Sequence, residues 1–246
     1  FKHGQYLWPD NQNEAFMGPM RAILSGKFKH SAWVDKPNRK LICKKRLIKI
    51  IHGNLMLKWI KVHFPQVPII LILRHPCAVA RSRLALSHWD WAADFQECVG
   101  QEQLIEDFLS PVISNIRKAR DAFEMHIFSW CIANYVPLRQ FQQGEIHLVF
   151  YENLCTQPGK EVDRLFSFLG EPYDARVFKH LRMPSQVARP QSAIKTGKSL
   201  TDDFKNHISR SQIQRAVEIL SLFGLDKVYS EDSMPLINSE QYPLIV

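Results

Sequence analysis

Two apolar runs constrain the fold of this chain more than any other feature. They occupy residues 69–73 (IILIL) and 146–151 (IHLVFY), and neither shows the polar alternation of a half-exposed strand. Such runs are typical of parallel strands that are covered on both faces. Parallel strands need a crossover connection, and helical patterns follow each run at residues 76–86 and 158–170. We therefore predict an α/β fold with a largely parallel sheet.

The helical patterns carry their own start and stop signals. Pro76 and Pro158 suit the first turn of a helix, because proline has no N–H to lose there. Gly170 suits the end of the second helix. Ser209 suits the N-cap of a further helix that ends at Gly224.

The positive charge is concentrated in one stretch. The chain has 246 residues and a net charge of +8, and residues 21–65 contain twelve basic residues and one acidic residue, which gives that stretch +11. A focused basic region suits a polyanionic ligand such as a nucleotide, a nucleic acid, an acidic glycan or a membrane surface; a merely solvated basic face is the alternative. With 46% hydrophobic residues, residues 1–246 are predicted to form a single domain.

The cysteines and the hydropathy indicate a reducing, non-membrane environment. The five cysteines are scattered and show no CxxC spacing, so we predict free thiols rather than disulfides or a zinc site. No apolar run approaches the ~20 residues that span a bilayer. The expected location is cytoplasmic.

Arg74 and Tyr151 stand at the ends of the two apolar runs. In an open parallel sheet, ligands bind beyond the carboxyl ends of the strands. An arginine beside the start of a helix favours a phosphate, and Ser82, four residues after the small Ala78, adds a hydroxyl on the same helix. The alternative is an arginine paired with a surface carboxylate and a serine bonded to its own helix.

Three segments resemble the sulfotransferases that use 3′-phosphoadenosine 5′-phosphosulfate (PAPS). LRHPCAVARS is similar to the 3′-phosphate signature of that family, with an arginine at a strand end and a serine eight residues later. HLVFYENLCTQPGKEVDRLFSFLG is similar to the family's strand, Tyr-Glu-Asp-like corner and following helix. ARPQSAIKTGKSLTDDFKNHISRSQIQRAVEILSLFGL resembles its C-terminal loop and final helix.

The resemblance implies both a fold and a reaction. The fold is the parallel-sheet, three-layer, P-loop-like fold of that family. The reaction moves a sulfuryl group from PAPS to a hydroxyl or amine and leaves adenosine 3′,5′-bisphosphate, with no metal. The expected acceptor is a small molecule, a glycan or a lipid, and no nucleic-acid partner is expected.

The resemblance also assigns expected roles. Arg74 and Ser82 would hold the 3′-phosphate, and Tyr151 would approach the adenine. The loop that would close on the nucleotide contains Ser192, Lys195 and Lys198.

Two residues are candidates for the transfer step. Lys49 lies within the β-competent run at residues 47–51 and would support the leaving or transferring group. His52 is a candidate general base, because histidine titrates near neutral pH. Its register is one residue off the Lys-x-His of some family members, so a histidine without a catalytic role is the alternative.

One family motif has no counterpart. The family normally begins with a strand and a P-[KR]-[SA]-G-[TS] loop for the 5′-phosphosulfate, and nothing before Arg74 resembles it. Either an N-terminal strand–loop unit is missing or the chain is a degenerate relative. We favour the first, because the lost strand would be central to the sheet and the chain begins at Phe1. The chain as printed is then expected to be catalytically incomplete.

Two other functions remain open. One is a P-loop kinase or nucleotidase, which would need a Walker A loop at an N-terminal strand. Residues 195–199 (KTGKS) mimic the end of such a loop, but Ser192 replaces the first glycine and no apolar strand precedes them, so we interpret them as a decoy and as part of the closing loop. The other is a non-enzymatic basic module that binds an acidic polymer or a membrane. Trp130 falls among helical apolar positions and is predicted to be core.

Overall fold

The computed structural model describes residues 1–28, 45–86, 91–181, 183–184, 190 and 192–240, with the backbone alone at residues 91–94. Its strands are β1 (Ile70–Leu73) and β2 (His147–Phe150). Its α-helices are α1 (Glu14–Leu24), α2 (Leu57–His63), α3 (Pro76–Leu84), α4 (Trp91–Val99), α5 (Glu102–Leu104), α6 (Ile113–Ile116), α7 (Ala122–Gln140), α8 (Tyr151–Thr156), α9 (Pro158–Leu169), α10 (Val177–Leu181), α11 (Ala193–Thr196) and α12 (Arg210–Leu222). A π-helical segment covers Ile105–Leu109, and 3₁₀ turns cover Asn54–Met56, Asp203–Asn206 and Leu225–Lys227.

The two strands form a parallel pair, which confirms an α/β fold with a small parallel sheet. The register joins Ile70 to His147 and Leu73 to Phe150. Strand β2 is buried along its whole length. Strand β1 is covered on one face only, because Ile72 is 60% exposed. The prediction of a strand covered on both faces is therefore right for β2 and wrong for β1.

Helix α7 is the central element of the core. It is 19 residues long and contacts α3, α4 and α12. The buried side chains of Phe128 and Ile132 lie on one side of it, and that of Trp130 lies on another. A helix that is apolar all round is a buried helix, and α7 therefore carries the packing of the elements that surround the sheet.

The predicted helix ends are found where the sequence signals place them. Pro76 and Pro158 begin α3 and α9. Gly170 follows α9 in the left-handed conformation, with φ 63°. Ser209 caps α12 through a reciprocal capping box with Gln212. These ends depend on contacts within about four residues, and local sequence is enough to predict them.

The structure corrects the interpretation of residues 47–51 as a β-competent run. Residues 46–50 have neither helix nor strand, and Leu47 is 88% exposed. A short run with basic neighbours gains a strand conformation only from a partner strand, and the part of the chain that the structure describes supplies none. The other short run, at residues 41–44, lies outside the described residues. None of the described helices is both long and apolar enough to cross a membrane.

Candidate functional site

The strand register brings Arg74 and Tyr151 together. Leu73 pairs with Phe150, so the next residue of each strand leaves the sheet at the same edge. The guanidinium carbon of Arg74 lies 4.5 Å from the centroid of the Tyr151 ring, which is a cation–π contact. Both side chains are half-buried. The two residues predicted from the strand ends thus form one side of a site at the carboxyl edge of the sheet.

The guanidinium of Arg74 retains an unused donor. Its Nε atom is buried and has no hydrogen-bond partner among the described residues. A buried donor without a partner costs about 1–3 kcal/mol, which a bound anion would recover. The planar fork of arginine matches the oxygens of a phosphate or sulfate. This atom is the clearest indication that the site takes an anion.

Tyr151 and Cys155 are neutral neighbours of that guanidinium. Burial raises the pKa of Tyr151 to about 12, against the opposing effect of the Arg74 charge. Burial also raises the pKa of the Cys155 thiol, and its hydrogen bond with Tyr151 opposes this only in part. At neutral pH the site therefore presents a phenol and a thiol beside the Arg74 guanidinium.

The start of α3 contributes less than the sequence suggested. His75 caps the helix, and the N–H of Cys77 donates to its Nδ1 atom over 3.3 Å. Pro76 has no N–H. Neither position therefore offers a free helix-terminal N–H group to a phosphate.

Ser82 lies on the exposed surface of α3. Ala78, one turn earlier, is only 5% exposed, so other parts of the protein cover that position of the helix. Arg81, which precedes Ser82, has its Nη2 atom 3.6 Å from Oδ2 of Asp203. Asp203 is 7% exposed and belongs to the 3₁₀ turn that follows the C-terminal loop.

Asp203 connects the predicted closing loop to α3. The Nζ atom of Lys198 lies 3.8 Å from Oδ1 of the same carboxylate that Arg81 approaches. Lys198 therefore lies near Arg81, which is the residue before Ser82 in α3. Ser192 is the N-cap residue of α11, and Lys195 is an exposed residue within that helix.

The Walker A-like string has the wrong structural context for a phosphate loop. Residues 195–199 form the end of α11 and the turn after it, and Gly197 is left-handed with φ 72°. Neither described strand precedes this loop directly. The side chain of Ser199 donates to Asp202 over 2.7 Å. A Walker A loop lies between a strand and a helix, so the geometry does not favour a P-loop kinase.

The predicted transfer residues lie in and next to the irregular segment before α2. Lys49 is exposed on irregular backbone rather than at a strand end. The ring of His52 stacks on the ring of His3, with centroids 4.5 Å apart and planes 2° apart. Their catalytic roles stay predictions.

Comparison with known protein families decides the family. The model of the sulfotransferase family matches residues 9–175, which is more than half of the chain. The chain belongs to the sulfotransferase family. The match includes Arg74, Ser82 and Tyr151 and ends before the loop that contains Lys198. No curated protein and no solved structure matches the chain.

Sequence reasoning missed the residues that hold the backbone of Arg74. The indole N–H of Trp130 donates to the carbonyl oxygen of Arg74 over 3.0 Å. The Oε1 atom of Glu152 accepts the backbone N–H of His75 over 2.8 Å. The Oε2 atom accepts the hydroxyl of Tyr229, also over 2.8 Å. The only signal in the sequence was the glutamate of the Tyr-Glu-Asp-like corner, because Trp130 was predicted as plain core.

No group of three or more His, Cys, Asp or Glu side chains is placed to hold a metal ion within the ranges that the structure describes.

Proposed function

We propose that this chain binds PAPS and transfers its sulfuryl group to a hydroxyl or amine acceptor, in the three-layer P-loop-like fold of its family. The observation that carries the proposal is the guanidinium of Arg74. It stands at the carboxyl end of β1, lies against Tyr151 and keeps a buried Nε–H without a partner among the described residues.

The 3′-phosphate of the donor would lie against Arg74. Two parallel hydrogen bonds from the guanidinium to phosphate oxygens would use the spare donor. The Ser82 hydroxyl, exposed on α3, would add a third donor. Tyr151 presents a half-buried neutral ring beside the guanidinium, which suits contact with the adenine rather than proton transfer.

The loop of Ser192, Lys195 and Lys198 would close over the nucleotide. The side chain of Lys198 is 52% exposed, so its ion pair with Asp203 contributes little and can be exchanged for a phosphate at low cost. Lys195, three residues before Lys198, provides a second exposed positive charge. Both would reduce the negative charge around a bound nucleotide.

The transfer itself is an in-line displacement at sulfur. A bond forms between the acceptor oxygen or nitrogen and the sulfur as the bond from sulfur to the bridging phosphate oxygen breaks. Adenosine 3′,5′-bisphosphate leaves with the bonding electrons, and the acceptor proton passes to a base. Lys49 would support the charge on the leaving oxygen and His52 would take the proton. The printed sequence has no P-[KR]-[SA]-G-[TS] string, so nucleotide binding is tested separately from transfer.

The test is calorimetric titration with adenosine 3′,5′-bisphosphate and with adenosine 5′-monophosphate. In the parent protein the bisphosphate is expected to bind more tightly, because only it carries the 3′-phosphate. Arg74→Ala should weaken bisphosphate binding by about 10- to 150-fold, the equivalent of a charge-assisted hydrogen bond, and should remove the preference between the two ligands. Arg176→Ala is the matched control, because Arg176 is exposed and pairs with Asp174. Equal bisphosphate affinity in the parent and Arg74→Ala proteins would refute the proposal.

A further inference from the structure

One peptide group, between Arg74 and His75, is held at both ends by side chains. Its carbonyl oxygen accepts the indole N–H of Trp130 over 3.0 Å, and its N–H donates to Oε1 of Glu152 over 2.8 Å. The peptide group is planar, so two hydrogen bonds at opposite ends determine how the plane is oriented. Leu73 is the last residue of β1 that pairs with β2, so these two bonds hold the first peptide group after the end of the strand pairing.

The two side chains are themselves held by the core. Glu152 is 1% exposed, and its second carboxylate oxygen accepts the hydroxyl of Tyr229. Tyr229 is 0% exposed, and its ring packs edge-on against Trp130 with centroids 5.9 Å apart. The bonds on this peptide therefore come from α7 and α8, and Tyr229, in the segment after α12, holds Glu152 in place.

His75 extends the same arrangement by one residue. Its Nδ1 atom accepts the N–H of Cys77, so the proton is on Nε2, which donates to the carbonyl oxygen of Ser230 over 3.1 Å. Its ring stacks on Phe204, with centroids 4.5 Å apart. The backbone is thus held by strand pairing before the peptide and by the side-chain contacts of His75 after it.

The carboxylate of Glu152 forms no ion pair with the guanidinium of Arg74, although burial raises the pKa of Glu152 and the nearby Arg74 charge opposes that rise. Both of its oxygens already accept hydrogen bonds, from the His75 N–H and the Tyr229 hydroxyl. A buried carboxylate costs more than an apolar residue of the same size unless its bonds are specific. Here its bonds orient the Arg74 backbone while they leave the guanidinium available.

We propose that Trp130, Glu152 and Tyr229 are positioning residues that hold the Arg74–His75 peptide and so aim the guanidinium of Arg74 at its anion. This inference rests on the proposed function, in which Arg74 binds the 3′-phosphate. Preorganisation of the arginine would improve affinity because its side chain and backbone need not be ordered at binding. None of the three side chains needs to touch the ligand.

The test is a double-mutant cycle on adenosine 3′,5′-bisphosphate affinity. Trp130→Phe keeps an aromatic ring and removes the N–H, and we expect it to weaken binding about three- to tenfold in the parent background. In the Arg74→Ala background the same change should have no effect, because the positioned group is gone. Glu152→Leu should behave like Trp130→Phe, and Glu152→Gln, which keeps an acceptor for the His75 N–H, should restore most of the affinity.

Trp59→Phe is the matched control. Trp59 is also fully buried, and its indole N–H also donates to a backbone carbonyl, that of Asn11, over 2.7 Å. We expect it to lower stability in urea as Trp130→Phe does, without any change in nucleotide affinity. If Glu152→Leu does not fold, Trp130→Phe and Trp59→Phe decide the question alone.

The two proposals fail in different ways. If Arg74→Ala binds the bisphosphate as well as the parent protein does, the proposed function is wrong. If Arg74→Ala is weakened but Trp130→Phe matches the parent protein, or weakens binding equally in both backgrounds, the positioning role is wrong. A loss of affinity in Trp59→Phe equal to that in Trp130→Phe would also overturn it.

Discussion

Protonation of His75 is expected to destabilise the protein as the pH falls from 7 to 4. Burial lowers the pKa of His75 from 6.5 to about 4, and the nearby charges of Lys205 and Arg74 add to this effect against the hydrogen bond to Ser230. The unfolded chain binds a proton below about pH 6.5, whereas the folded protein does not until about pH 4. Stability from this group is therefore fully present above pH 6.5 and is lost as the pH falls through that window.

The size of the effect follows from the two pKa values. One pKa unit corresponds to about 1.4 kcal/mol, so the full window is worth about 3 kcal/mol and the step from pH 7 to pH 5 about 2 kcal/mol. This is a considerable part of the 5–15 kcal/mol typical of a folded domain. His75 is 1% exposed, so solvent does not screen the effect.

The assay compares urea unfolding of the parent and His75→Asn proteins, followed by circular dichroism at constant ionic strength. Asparagine is a good N-cap residue, so its side-chain oxygen can still accept the Cys77 N–H. It does not titrate in this pH range. The variant should be less stable at pH 7, because the ring contact with Phe204 is lost. Its loss of stability between pH 7 and pH 5 should be smaller than that of the parent by about 2 kcal/mol.

His126 and His147 do not interfere with the comparison. The pKa of each is also lowered to about 4, mainly by burial, so both contribute to the pH dependence of both proteins and cancel in the difference. Equal pH dependence of the parent and His75→Asn proteins would refute the reasoning, because it would show that His75 is protonated in the folded state as easily as in the unfolded chain.

Three further predictions concern stability in urea. Gly170→Ala should lower the free energy of unfolding by about 1 kcal/mol, because Gly170 has φ 63°. Gly159→Ala should raise it by about 0.5–1 kcal/mol, because Gly159 is at a helical position with open space around it. Changes of the same sign in the two variants would contradict this. Ser209→Ala should lower it by about 1 kcal/mol through loss of the capping box, and an unchanged midpoint would show that α12 does not need its cap. Arg215→Ala should lower it by about 2 kcal/mol, because Glu124 is 4% exposed and loses a bond of 2.8 Å; a change below 0.5 kcal/mol would show that solvent compensates the carboxylate.

Much of the fold could be predicted from local patterns. The apolar runs at residues 69–73 and 146–151 became β1 and β2, one or two residues shorter than predicted. The segment at residues 47–51 did not become a strand, because a strand needs a partner and not only suitable residues. Local propensity therefore predicted the strands that pair with each other and overpredicted the one that has no partner strand among the described residues.

The candidate site also has a part that the sequence predicts and a part that it does not. Arg74 and Tyr151 are 77 positions apart, yet the sequence placed them together, since the carboxyl ends of parallel strands share one edge. Nothing in the sequence indicated that the indole of Trp130 would bond to Arg74. Trp130 has the pattern of any core residue of a helix, and the direction of its N–H depends on how α7 packs.

The sequence alone determined the α/β class, the family and the residues at the strand ends, because periodicity, caps and strand ends are properties of neighbouring residues. The tertiary structure decided which side chains hold the Arg74–His75 peptide and left Ile72 exposed on β1. Those features depend on contacts between elements that are distant in the chain. Several buried polar residues were available for such bonds, and only the packing of α7, α8 and the C-terminal segment selects Trp130 and Glu152 among them.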